Sequence, residues 1–134
     1  MELSEFESIS PYNDEEAVKA LGKVANHPAV LAISGYLFPD RPVTYLREAL
    51  KSVKSIDEFQ EVVMNDAVTW CIDHTVHNFS YDGISYIKGI QGKFLLMSNH
   101  RDIILDPAIT QMVFFRNGIP MTEICVGDNL IKQS

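Results

Sequence analysis

Cysteine is almost missing from this chain. Cys71 and Cys125 are the only two among 134 residues, and no close-spaced pairing pattern surrounds them. A disulfide framework is therefore excluded, and a reducing compartment is the simplest home. Basic residues are also scarce, with 11 Lys and Arg against 18 Asp and Glu for a net charge of −7. Since nucleic-acid affinity comes chiefly from neutralising phosphates, no nucleic-acid partner is expected. Long apolar runs are absent as well: Phe94 to Met97 and Ile103 to Leu105 fall far short of the roughly 18 to 20 residues that cross a bilayer. The start, MELSEFESISPYNDEE, is acidic where a secretory signal would be basic and then apolar. These absences together predict a cytoplasmic location.

What is present is a globular composition, 46% hydrophobic and 10% aromatic, long enough for one domain or part of one. The charge is uneven: residues 1–79 carry 13 acids and 6 bases, and residues 80–134 carry five of each. The second part is therefore free to receive an anion. Residues 1–12 read as a mobile acidic tail, 13–79 as a helical region, and 80–134 as the start of a different layer.

Within the helical region, Asn13 and Glu16 fit a capping box, predicting a helix from about Asp14 to Ala25. Pro28 suits the first turn of a second helix, Ala29 to Leu37, apolar nearly all round and expected to be well buried. Tyr45, Leu46, Ala49, Leu50 and Val53 recur at helical spacing and predict a third helix. Ser55 and Glu58 form a second capping-box pattern before a stripe of Ile56, Phe59, Val63, Ala67, Trp70 and His74, a fourth helix reaching about Thr75. The region reads as a bundle of about four helices.

After Phe79 the pattern changes. Ile84, Tyr86 and Ile87 between glycines predict one or two short strands, Phe94–Ser98 reads as a buried strand, and Pro120–Val126 as another. A helix from about Pro107 to Asn117, stopped by Gly118, lies between the last two. The expected fold is thus α+β to α/β: a helical bundle followed by the first strands and helix of an incomplete α/β layer.

The chemistry-bearing residues cluster in Ser98-Asn99-His100-Arg101-Asp102-Ile103-Ile104-Leu105-Asp106-Pro107, at the connection from expected strand to expected helix, where α/β proteins keep their sites. A His near its unperturbed pKa can take a proton from an alcohol, and a carboxylate on its other ring nitrogen fixes the tautomer and stabilises the imidazolium. Both Asp102 and Asp106 are available as that carboxylate.

The stretch SNHRDIILDPAI resembles the first motif of the glycerolipid acyltransferase family, a His followed after four residues by an Asp, with an Asn before and an apolar helix after. Asn99, His100 and the apolar follow-on match. The spacing departs, because five residues separate His100 from Asp106, so either one residue is inserted or Asp102 is the partner. Asp106 is favoured for its place before the helix. The resemblance implies acyl transfer from a thioester, on CoA or acyl carrier protein, to the hydroxyl of glycerol 3-phosphate, lysophosphatidate or a related acceptor. It implies His100 as general base oriented by Asp106, without a resident cofactor or metal. Asn99, Arg101 and Asp102 are substrate-binding candidates, Arg101 because its planar fork suits oxyanions. The family's later motifs are not found, and Glu123–Leu130 looks like the approach to the second. The resemblance therefore implies the N-terminal portion of a longer enzyme, cytoplasmic or peripheral at the inner membrane face, and inactive or weakly active as an isolated piece.

Other readings compete. Asp106-Pro107 also fits a helix cap, His100 a structural loop histidine, and Arg101–Asp102 a surface ion pair. A helical binding or regulatory domain that docks a partner or membrane is the main alternative to an enzyme, and a hydrolase using the same His is a third. Cys71, His74 and His77 have metal-ligand identities but rotate about 60° apart at each step along a helix, which favours helix-end packing over zinc. Cys125 reads as inert core. Val113-Phe114-Phe115 reads as core or as an apolar surface for an acyl chain or membrane.

Overall fold

The computed structural model describes residues 10–127. The first nine residues of the expected acidic tail and the expected motif approach beyond Gly127 lie outside that range.

The helical region forms as its caps dictate. Helix α1, Asp14–Val24, starts with a complete capping box: Asn13 Oδ1 accepts from the Glu16 amide, and Glu16 accepts from the Asn13 amide, both at 3.0 Å. Helix α2, Ala29–Leu37, follows Pro28. It is less buried than expected, with Val30 and Ser34 enclosed but Ile33 and Tyr36 exposed. Ser34 has a reason to be inside: its hydroxyl accepts from the Leu46 amide at 3.2 Å, satisfying one of the free N–H groups at the start of α3, Tyr45–Ser52.

The fourth expected helix is a continuous rod from Ile56 to Thr75, in three parts. These are α4, Ile56–Phe59, a π-helical stretch, Gln60–Asn65, and α5, Asp66–Thr75. The second capping box is only half formed. Ser55 Oγ accepts from the Glu58 amide, whereas Glu58 accepts from the Lys54 amide. The Ile56 amide is taken by Asp14 Oδ1 of α1 at 2.9 Å, so two helix starts are tied together. Leu46, Ala49 and Leu50 of α3 pack with Val63 and Ala67 of the rod, Val30 of α2 and Ala25 in a first core cluster.

The second part differs from expectation: no strand or sheet occurs among the described residues, and the α/β layer is corrected to a helical arrangement. Ile84–Lys88 is a short helix, α6, entered through Gly83 at φ 81°. Phe94–Ser98 and Pro120–Val126 are irregular, with Leu95, Met97, Ile124 and Val126 exposed. A strand exists only by exchanging backbone hydrogen bonds with a neighbour, and an apolar run does not supply one. Helix α7, Leu105–Arg116, does form and ends in a Schellman motif. Gly118 at φ 65° donates to the Phe115 carbonyl, and Ile119 donates to that of Phe114. Met112 and Val113 of α7 pack on Ile72 of α5 in a second cluster, joined by Val68, Phe79, Ile84 and Ile109. Val113 and Phe114 are therefore core, not surface. Cys125 is exposed, against its expected place in a buried strand.

No helix among the described residues is long and apolar enough to cross a membrane.

Candidate functional site

The site is the turn that leads into α7. Its backbone is organised by two carboxylates with different tasks. Asp102 Oδ1 accepts from the Ile104 and Leu105 amides at 2.9 and 2.7 Å, so it takes up free N–H groups at the helix entrance. Asp106, inside the first helical turn, reaches back: its Oδ2 accepts from the Arg101 and Asp102 amides at 2.6 and 2.9 Å. The N-cap position that Asp106-Pro107 suggested falls on Ile104, whose side chain makes no cap bond, and Asp102 takes the free amides at the entrance instead.

The same Asp106 oxygen faces His100, with Nδ1 3.5 Å away. That distance is an ion-pair approach longer than a full hydrogen bond, as catalytic contacts often are before substrate arrives. With Nδ1 turned toward the carboxylate, Nε2 lies on the other side of the ring, and the His100 side chain is 64% exposed. The amides donated by Asp102 and Arg101, together with the imidazole, hold the Asp106 carboxyl below its ordinary range. Amides of Leu105 and Ile104 do the same for Asp102. Both are anions near neutral pH.

His100 and Asp106 are thus brought together, and Asp102 is occupied with the entrance amides. Arg101 contributes its backbone amide while its side chain is exposed, and Asn99 is exposed without a hydrogen bond among the described residues. Neither side chain is placed on the pair.

Beside the turn lies a groove of about 300 Å³. Ile103 and Ile104, from the turn itself, form one rim, and Gln60, Met64 and Val68 of the rod form the opposite wall. Ile124 and Val126 close the third side, held there by Gln111. The side chain of Gln111 accepts from the Thr122 amide at 2.9 Å and donates to the Thr122 carbonyl and hydroxyl. Sequence reasoning did not single out the groove residues. Met64, lying off the apolar stripe of its own helix, was the available signal.

Cys71 and His74 are engaged locally on α5. The Cys71 thiol faces Thr75, and His74 stacks on Trp70 with Nδ1 2.8 Å from the Trp70 carbonyl oxygen.

No family model, curated protein or solved structure matches the chain.

Proposed function

We propose that the chain is the His-bearing part of an O-acyltransferase acting on glycerol 3-phosphate, lysophosphatidate or a related acceptor, within a longer enzyme. The observation that carries the reading is the His100–Asp106 approach at 3.5 Å on a turn whose next residues rim an apolar groove. In this reaction His100 Nε2 takes the acceptor hydroxyl proton as the oxygen attacks the thioester carbonyl. The tetrahedral intermediate expels the thiolate, and the imidazolium returns the proton to it, giving ester and free thiol. Asp106 keeps Nδ1 protonated and stabilises the imidazolium throughout. The groove suits the acyl chain, because its walls are almost wholly apolar and include Ile103 and Ile104 of the same turn. The thioester is on CoA or on acyl carrier protein.

The test is transfer of a labelled acyl group from acyl-CoA, and separately from acyl carrier protein, to glycerol 3-phosphate and to lysophosphatidate. It uses the protein as it is made in the cell. His100→Ala is expected to cut turnover by about 10²–10⁴-fold with the fold retained. Equal activity in the wild type and His100→Ala, or no transfer with either donor to either acceptor, removes the reading. Release of free fatty acid in place of ester favours a hydrolase. A docking module draws on one observation, the exposed apolar segment around Leu95 and Met97. In that reading the His100 turn is structural and His100→Ala leaves every measured function unchanged.

A further inference from the structure

The segment that precedes the His100 turn combines exposed apolar side chains with unpaired cations. Tyr86 is 82% exposed, Leu95 79% and Met97 85%, and Ile90 is exposed between them. Residues 83–101 contain Lys88, Lys93 and Arg101 and no Asp or Glu, a local charge of +3 in a chain of net −7. All three cations are exposed, and none is within ion-pair distance of a carboxylate among the described residues. The segment is also anchored: Ile84 packs into the second core cluster, and the Phe94 ring meets that of Phe114 at 6.4 Å between centroids. Large exposed apolar side chains on an anchored segment mark an interaction surface.

We propose that residues 84–97 form a docking edge for an anionic lipid surface, with Tyr86, Leu95 and Met97 entering the headgroup–acyl boundary and Lys88 and Lys93 on lipid phosphates. Charge complementarity selects this occupant. Bases interleaved with aromatic and aliphatic residues are the composition that lies in a membrane interface. A two-fold contact with a second copy would place the same cations against each other. Docking by this edge leaves out the acidic helical region, which holds ten Asp and Glu over residues 13–79. The consequence for the site is positional: Met97 lies three residues before His100, so an acceptor held in the membrane would meet the base at the boundary itself. That last step rests on the acyltransferase reading, whereas the docking does not.

Flotation with phosphatidylglycerol vesicles and with phosphatidylcholine vesicles tests it without any turnover, so its failure and that of the acyltransferase reading are distinguishable. The wild type is expected to float with phosphatidylglycerol and to be released as salt rises. Leu95→Asp with Met97→Asp, and separately Lys88→Glu with Lys93→Glu, are expected to lower binding at least tenfold. Tyr36→Asp, on an exposed face of α2, leaves it unchanged. Because both lysines are exposed, the charge-reversal pair keeps the test valid if the first pair does not fold. Absence of flotation, or flotation that neither pair weakens, overturns the proposal. So does a dimer in sedimentation equilibrium that Leu95→Asp dissociates, which assigns the edge to a second copy. An acidic protein captured by the edge while vesicles are ignored overturns it in favour of that partner.

Discussion

Oδ2 of Asp106 accepts from two backbone amides and faces an imidazole, so this one carboxylate bears on both the shape of the turn and the orientation of His100. Removing its charge separates the two tasks. On the proposed chemistry, Asp106→Asn is expected to lower acyl transfer by about an order of magnitude or more, while the amide signals of Arg101 and Asp102 shift as their acceptor weakens. Asp102→Asn keeps an oxygen for the Ile104 and Leu105 amides and is expected to leave turnover nearly unchanged. The pH dependence follows from the depressed carboxyls. A folded value below the unfolded one, about 3.9 for Asp, means that the turn is stabilised above that pH. The stabilisation is lost as pH falls through the folded values of Asp102 and Asp106. Amide chemical shifts of residues 101–105, followed in His100→Ala from pH 7 downward so that no imidazole contributes, should therefore stay constant to below the ordinary carboxyl range and then move together. At this scale the sequence was informative about identity and less so about task. The order His, short loop, Asp, Pro placed His100 by Asp106, but which Asp takes the entrance amides and which reaches back depends on the path of the turn. That path is set by four amides and not by residue type.

Among the elements, those with their own stop and start signals were legible, and those that depend on a neighbour were not. The capping box at Asn13 and the glycine after α7 both do what local chemistry requires. Gly118 at φ 65° has open space where a Cβ would lie, so Gly118→Ala should cost only the left-handed backbone penalty, about 1–2 kcal/mol, read as a lower denaturation midpoint. Ser34→Ala removes the acceptor from a buried Leu46 amide and is expected to cost about 1–3 kcal/mol in the same measurement. A Ser in an apolar helix gives no hint of this, because its partner lies 12 residues away. The strands failed for a related reason. Phe94–Ser98 has the composition of a covered strand, but composition carries no information on whether a second strand runs alongside. The π-helical stretch of the rod has no local signature either, although it supplies Gln60 and Met64 to the groove.

Across the whole molecule, two hydrophobic clusters share one rod. Val63 and Ala67 belong to the first and Ile72 to the second, and α7 packs on both the π-helical stretch and α5. Leu50→Ala and Met112→Ala, one from each cluster, are each expected to cost about 2–5 kcal/mol. Both should lower the midpoint of a single transition, seen alike by circular dichroism and by the fluorescence of Trp70, the only tryptophan. Two separable transitions would show that the clusters do not share the rod energetically.

The bond from the Ile56 amide to Asp14 bridges 42 residues, and it has a consequence in time. During synthesis at about 5–20 residues per second, α1, complete at Val24, waits roughly 2–6 s before the residue that it caps has been added. Through that interval the first helix must persist on its own capping box, and the bundle can close only when the rod's first turn emerges to meet it.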